Sequence, residues 1–381
     1  MMTANKIRLV FLAASVAVCL LFISEKSFLP GISPRESSRT NSELIGTIIR
    51  LIKSDYINEA NPSTTMEGAY KGMLQSLDVL SSYLDQASVT KYLQPQKANF
   101  RDVGLILYKR YGVFPFVIGI MENSPAERGG IKIGDYISAV DDQTTLLWGL
   151  AEINLYLKDT GNKSAKFRIV RENSTLEIKL ERAELYKKSF SYVPQKGTAG
   201  IVKIHHFYPS VTEAVQQKLL SQLKPQIRPL ILDLRDCHEG SYEEASLFIN
   251  LFLKAEKIGY FKQKEEKKEP LSCSKNAELE KLPLIIWTNQ ATVGPAEVVA
   301  GVLKKIKKAK VIGIQTPGLA AKQDLFPLEK GDALLLTTGI FCYPSGEELW
   351  GQGVSADIKI EVNHQTQKTY REKTSDLLSR L

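Results

Sequence analysis

Ser124-Pro125-Ala126-Glu127-Arg128-Gly129-Gly130 runs directly into Ile131-Lys132-Ile133-Gly134-Asp135-Tyr136-Ile137. Ser-Pro opens the stretch as an N-cap and N1 pair, and the paired glycines close it as a C-cap. A one-turn helix, a turn and a strand are the elements that order predicts. The surroundings are β-rich: 103–108, 116–121, 136–140, 165–170 and 176–180 are short β-prone runs between Gly, Asn and Asp turns. One small β-rich module therefore extends from about 100 to 184.

Downstream of it the period changes. Leu230-Ile231-Leu232-Asp233-Leu234-Arg235 reads as a largely apolar strand, 243–253 as a helix and 284–287 as a second buried strand. A helix over 295–308 with a very basic end and a strand over 311–314 come next. Such alternation predicts a parallel α/β core. The charged stretch 262–281 reads as an exposed excursion, and the polar last twenty residues as a frayed helix.

Upstream, Leu44, Ile45, Ile48, Ile49, Leu51 and Ile52 recur at mostly helical spacing, and Asn61-Pro62-Ser63 opens a second helix. Met66, Ala69, Tyr70, Met73, Leu74 and Leu77 give that helix one apolar face. Two short amphipathic helices make no core alone, so they must cover something or pair with another copy. Residues 31–42, rich in Ser, Pro, Arg and Asn, read as a tether. Before it, Lys6 and Arg8 precede an uncharged, mostly apolar run, 9–24, closed by Glu25 and Lys26. At ~1.5 Å per residue this run spans ~24 Å, short of a ~30 Å hydrocarbon core. It reads as a signal-peptide core or a short anchor. Phe28, Leu29 and Pro30 leave no clear small-x-small cleavage site, which favours the anchor. Basic residues ahead of the run keep the N-terminus in the cytoplasm and put the rest of the chain outside, in the periplasm if the cell is Gram-negative.

The 381 residues are 43% hydrophobic and 24% charged, ordinary globular composition that excludes a disordered or collagen-like chain. A surplus of +8 over this length is no clustered basic footprint, so nucleic acid is not expected as a partner. Four cysteines make no disulfide scaffold, and no Cys/His cluster has zinc spacing, so neither metal nor cofactor is expected. Cys237, Cys273 and Cys342 allow at most one internal disulfide; Cys19 lies in the apolar run.

Three stretches in order carry a resemblance. Glu67-Gly-Ala-Tyr-Lys-Gly-Met-Leu-Gln-Ser-Leu-Asp-Val-Leu-Ser-Ser-Tyr-Leu84 resembles the N-terminal signature of the C-terminal processing (tail-specific) serine proteases. The 124–135 stretch resembles the helix, turn and strand of a PDZ domain. Asn289 to Gln323, with Glu297 and Ala300-Gly301 in register, resembles that family's catalytic region. Tyr343-Pro344-Ser345-Gly346 and Gly353-Val354 fit the strand and loop beyond it. The likeness spans roughly 44–360. It implies a multidomain α/β architecture of N-terminal helices, a PDZ-like β-rich module and a ClpP/crotonase-like α/β core. The divisions are 1–30 signal or anchor, 31–98 tether and helices, 99–184 PDZ-like domain, 185–362 protease core and 363–381 polar tail. It also implies homodimerisation through the 43–84 helices.

The family works with a Ser-Lys dyad, in which a desolvated neutral amine takes the serine proton and backbone N–H groups hold the oxyanion. The resemblance puts the serine three residues before Glu297 and the lysine twenty-five beyond the serine. Those positions hold Gly294 and Leu319, the latter after Gly318. Gln323 stands where the family has its glutamine. In Asp233-Leu-Arg-Asp-Cys-His-Glu-Gly240, Glu239 stands where the family has the first of two glycines, beside the oxyanion pocket. Thr292 and Lys322 are the displaced candidates for nucleophile and base. Cys237-His238 and His205-His206 are neighbours that point to opposite faces in an extended chain, so neither reads as a reactive pair. His364 lies in the polar tail. The run Lys304-Lys305-Ile306-Lys307-Lys308 suits a helix C-terminus, with anionic lipid as the other reading.

A PDZ domain takes a peptide C-terminus as an added strand and holds its carboxylate on loop N–H groups. Here Val103, Gly104, Leu105, Ile106 and Leu107, after Asp102, are the expected groove. The chain is thus expected to be a dyad-less, peptide-binding or regulatory pseudoprotease, the alternative being an endopeptidase with a displaced nucleophile. Its expected partners are C-terminal tails of other proteins and, through the N-terminal segment, the membrane.

Overall fold

The computed structural model describes residues 37–58, 61–94, 100–158, 163–185, 188–222, 228–272, 277–361 and 366–380. The apolar run 9–24, the tether as far as residue 36, Cys19, Cys273 and His364 lie outside the described residues. Among the described residues no helix is long and apolar enough to cross a membrane.

The chain divides into two compact units, 1–66 and 67–381. In the first lies α1 (Ser37–Asp55), whose Leu44, Ile45, Ile48 and Leu51 are each about half exposed. α2 (Pro62–Gln75) begins at the proline, whose missing N–H costs nothing at a helix start. β1 (Ser82–Leu84) and α3 (Gln86–Tyr92), capped by the Asp85 carboxylate on the Ser88 amide, lead toward the β-rich module.

That module comprises β2 (Phe100–Asp102), β3 (Leu105–Tyr108), β4 (Phe116–Ile120), α4 (Pro125–Arg128), β5 (Tyr136–Val140), β6 (Gln143–Thr144), α5 (Leu150–Leu157), β7 (Ser164–Arg171), β8 (Ser174–Glu181) and β9 (Ala183–Leu185). The Ser124 hydroxyl caps α4 on the Glu127 amide, as its sequence predicts. The main sheet runs β3-β4-β5-β7-β8, so β3 is an edge strand, and β2 pairs with β9 so that the chain enters and leaves side by side. Val103, Leu105, Leu107, Val117, Ile137, Ile153 and Phe167 fill its core.

The rest is the α/β core: β10 (Phe190–Val193), β11 (Ile201–Ile204), α6 (Val211–Gln222), β12 (Leu230–Asp233), α7 (Tyr242–Asn250), β13 (Lys257–Gln263), β14 (Lys268–Ser272), β15 (Leu284–Thr288), α8 (Pro295–Lys305), β16 (Lys310–Gly313), β17 (Ala321–Pro327), β18 (Ala333–Cys342), β19 (Ile358–Lys359) and α9 (Thr366–Leu378). One sheet runs β10-β11-β12-β15-β16-β19, parallel apart from β10. Alternate residues divide its faces. Val202, Leu232, Ile286 and Val311 pack with α6, α7 and α8, whereas Ile201, Ile231, Trp287 and Ile312 pack with α9. A second, antiparallel sheet runs β1-β18-β13-β14 with β17 on β18.

Two expectations need correction. Within the charged excursion, residues 262–272 are the end of β13, its turn and β14, paired as a hairpin whose β13 strand lies in register on β18. The polar tail is a docked helix: Tyr370 and Thr374 are fully buried, and Trp287 Nε1 donates to Thr374 Oγ1 at 2.9 Å. Cys237 and Cys342 are buried free thiols.

Candidate active site and peptide groove

Strand β15 is followed by Asn289, which fastens the turn into α8. Its side chain donates to Asp236 Oδ1 at 2.8 Å and accepts from the Asp236 and Ala291 amides, both at 3.1 Å. The chain then reaches Gly294 at φ +61°, ψ −116°, the N-cap of α8. A sharp strand-to-helix turn with positive φ is the shape that lifts a nucleophile out of a sheet. Among the described residues, a Cβ there would meet only the Tyr242 hydroxyl, at 3.7 Å.

Glu297 organises the rest. Its side chain is fully buried. One oxygen accepts from the Gly294 amide at 3.0 Å and the Leu319 amide at 2.7 Å; the other accepts from Thr316 Oγ1 and the Gly318 amide, both at 2.6 Å. Burial pushes this carboxyl upward, and the four donors pull it back. Because 294 and 319 hang from one oxygen, the main chain at both dyad positions is brought together. Leu319 is 5% exposed.

The displaced candidates are each engaged with other partners. Thr292 is fully buried; its hydroxyl donates to Leu234 O at 2.9 Å and accepts from the Asn289 amide at 3.0 Å, a structural role in the turn. Lys322, on β17, lies 2.9 and 2.7 Å from the two oxygens of Glu269, and that hydrogen bond raises its pKa, the wrong direction for a general base. Gln323 Nε2 donates to Leu80 O at 2.9 Å. Tyr242, ahead of Gly294, donates to Ala321 O at 3.0 Å.

The oxyanion segment carries its own charge cluster. Glu239 pairs with Lys158 at 2.6 Å, accepts from the Tyr208 hydroxyl, and lies 3.6 Å from His238 Nε2. Burial alone would raise its pKa, but Lys158, His238 and these hydrogen bonds outweigh it and hold it at about 2. Cys237 is buried and its thiol is pushed well up, so it is no nucleophile; His238 bonds through Nδ1 to Asp236 O at 3.1 Å. Burial lowers both His205 and His206 to about 4. No metal-holding cluster occurs among the described residues.

In the β-rich module, Val103, Leu105 and Leu107 belong to the hydrophobic core, while Ile106 turns to the other face and packs with Ile118 and Ala291. Gln290 Nε2 donates to Ile118 O at 2.8 Å, and Lys203 pairs with Glu122 at 2.9 Å. The module therefore rests on the turn that leads to Gly294. Of the loop amides expected to face a ligand, those of Val103 and Gly104 donate to Asp102 Oδ1, at 2.5 and 3.0 Å.

Residues 198–360 match the sequence profile of peptidase family S41, and 116–171 that of a PDZ domain. The chain is similar to a probable CtpA-like serine protease of Staphylococcus aureus (strain MRSA252), 25% identical over 356 residues that cover 93% of this chain and 71% of that one. The corresponding protein of Staphylococcus haemolyticus (strain JCSC1435) is 25% identical over 338 residues, 87% and 68% of the two chains. The fold is similar to that of a photosystem II D1 C-terminal processing protease, with a TM-score of 0.68, 20% identity, and 83% and 86% of the two chains covered. By these likenesses the chain carries a peptidase S41 region and a PDZ domain and is similar to C-terminal processing proteases.

Set in that family's architecture, the N-terminal helices, PDZ module and α/β core fall as the sequence predicts. Three functional features escaped the sequence reading. Asp102 caps its own loop, a bond that depends on backbone shape. Lys158 and Glu239 are 81 positions apart in sequence, with no local signal to join them. Tyr242 approaches Gly294 only because α7 and α8 pack together. The one clue in the sequence was Glu239, a charged residue where the family has glycine.

Proposed function

We propose that this protein binds protein tails through its PDZ module and performs no peptide hydrolysis. The observation that carries the reading is the Glu297 clamp: it holds 294 and 319 in one place, and the side chains there are a hydrogen atom and an isobutyl group. Neither a nucleophile nor a base is supplied. Thr292 and Lys322 are committed to other partners, which argues against a displaced dyad. Edge strand β3, with α5 packed nearby in the same core, supports strand addition by an extended peptide.

The test is direct. Purified full chain, incubated with unstructured polypeptides ending in apolar residues, should show no cleavage above buffer by mass spectrometry. Cleavage abolished by Thr292→Ala or Lys322→Ala would establish a displaced dyad and defeat the reading.

A further inference from the structure

Strand addition to a PDZ groove normally ends with the ligand's terminal carboxylate on main-chain amides of the loop that enters the edge strand. Here that loop is Asp102-Val103-Gly104, and two of its amides already hold a carboxylate. Asp102 Oδ1 accepts from Val103 N at 2.5 Å and from Gly104 N at 3.0 Å. Asp102 is 7% exposed and does not swing freely in solvent.

The loop is also fixed from behind. Val103 O accepts from Ala126 N at 2.9 Å, and Gly104 O from Met121 N at 3.0 Å. Gly104 lies at φ +85°, with Ser124 directly against the place a Cβ would occupy. Opening a fresh set of amides by moving the backbone would break these bonds. The movement that leaves the backbone in place is that of the Asp102 side chain, which must give up its own two amide bonds.

Charge points the same way. Lys158, at the C-cap of α5, is close enough to Asp102 to interact with it, yet its ammonium pairs with Glu239 at 2.6 Å. Glu239 in turn repels Asp102. Burial raises the pKa of the Asp102 carboxyl, and Glu239 adds to that rise while the Gly104 amide and Lys158 oppose it; a peptide carboxylate arriving here would join an acidic cluster served by one lysine, and it would compete for amides already in use. Like charges in one buried pocket disfavour each other's ionised forms.

We propose that Asp102 is a built-in competitor for the ligand carboxylate, so that this PDZ groove selects peptides by their strand and apolar side chains and not by a free C-terminus. The inference rests on the tail-binding reading of the module and narrows it: the ligands that fit are segments whose last held group is neutral, internal stretches included. Asp102 is the specificity-determining residue, and the groove becomes an acid-selective one only when its carboxylate is removed.

The experiment is fluorescence anisotropy on the full chain, with one fluorescein-labelled decapeptide ending in three apolar residues, made as the free acid and as the C-terminal amide. Wild type should bind the two forms within about threefold of each other. Asp102→Gly, which frees both amides and removes the charge, should tighten the free acid by about tenfold or more (1.4 kcal/mol per decade) and leave the amide within about threefold. Asp102→Asn keeps an acceptor on the amides and removes only the charge, so it should tighten the free acid by a smaller factor. A wild-type preference of about tenfold for the free acid overturns the proposal and leaves tail binding standing. The same holds if Asp102→Gly and Asp102→Asn leave the free-acid affinity unchanged. Should the glycine variant fail to fold, the wild-type ratio and the asparagine variant decide. Binding of neither form by any variant overturns both this proposal and the tail-binding reading.

Discussion

Gly104 in the PDZ loop and Gly294 at the head of α8 both adopt positive φ, at +85° and +61°. They differ in what surrounds them. A Cβ on Gly104 would lie 2.3 Å from Ser124 Cβ, and 3.3 Å from Leu185 Cδ1. On Gly294 it would meet, among the described residues, a single atom at 3.7 Å, an ordinary van der Waals distance. Packing requires the first glycine. The second sits in a space that still admits a side chain. The catalytic frame has thus kept its shape and its vacancy, while the groove has kept its shape and filled its cradle from within. The identity of a side chain and the geometry that holds its main chain are set separately in this fold.

The largest effect that would break this comparison is catalytic. A general base alone contributes roughly 10²–10⁴-fold in rate, and on the proposed reading the nucleophile is absent from position 294 as well. Supplying both groups, as Gly294→Ser with Leu319→Lys, should give measurable tail cleavage if the frame is competent, against none in wild type. Glu239 bears on the oxyanion side of that frame, so the absence of cleavage in wild type is the firmer outcome.

Next in size is Gly104→Ala. Positive φ costs about 1–3 kcal/mol for a side-chain-bearing residue, and overpacking against Ser124 adds about 1–3 kcal/mol. Thermal or denaturant unfolding of the full chain should show a loss of roughly 3 kcal/mol or more in the transition that includes the PDZ core. A loss below about 1 kcal/mol would mean that the loop yields easily, and the rigidity invoked for the Asp102 cradle would go with it.

The junction between the two regions gives a smaller, pH-dependent effect. Glu239 has an ordinary value of 4.5 and is held at about 2 in the fold. Its folded pKa lies below the unfolded one, so the ionised group contributes stability above about 4.5, and that contribution is lost as pH falls through about 2. Breaking a buried pair costs about 3–5 kcal/mol, less here because Lys158 and Glu239 side chains are 24% and 15% exposed. Glu239→Gln should therefore destabilise the chain by about 2 kcal/mol at pH 7, and the gap to wild type should close between pH 4.5 and 2. A gap that stayed constant down to pH 2 would show that the ion pair is not its origin.

Legibility in the sequence tracks the range of each interaction. Ser124-Pro125 and Asn61-Pro62 announced helix starts because a cap is a contact between neighbours. The parallel strands announced themselves because both faces of Leu230-Ile-Leu are buried. Lys268 to Ser272 looked like loop because an edge strand with one solvated face can be charged throughout. The docked α9 was hidden for a different reason. Its mean composition is polar, and its fully buried anchors, Tyr370 and Thr374, meet Thr288 and Trp287, more than eighty positions away, with Leu377 and Leu378 packed beside them. Arg235 stacks there as well, 4.9 Å from the Trp287 ring and 4.4 Å from that of Tyr370, with Asp233 neutralising its charge. At the site, residue identities at 294 and 319 were readable by counting from Glu297. The clamp that brings them to one oxygen was not, since it is made by main-chain amides, which every residue but proline carries.

The smallest expected effect sharpens the comparison most, because it measures the vacancy itself. In Gly294→Ala the added methyl group meets no neighbour closer than 3.7 Å, so overpacking contributes nothing. Two terms remain. Holding a side-chain-bearing residue at φ +61° costs about 1–3 kcal/mol. Replacing glycine restricts the unfolded chain and returns about 0.4–1 kcal/mol. The net loss should be about 1 kcal/mol, well under that of Gly104→Ala, measured by denaturant unfolding under the same conditions. Gly294→Ser should cost no more than alanine, since its hydroxyl has the Tyr242 hydroxyl within reach as a hydrogen-bond partner. If both substitutions at 294 proved as damaging as Gly104→Ala, the space over α8 would be closed. Glycine would then be a packing requirement there, and the frame could not be described as intact but unfurnished.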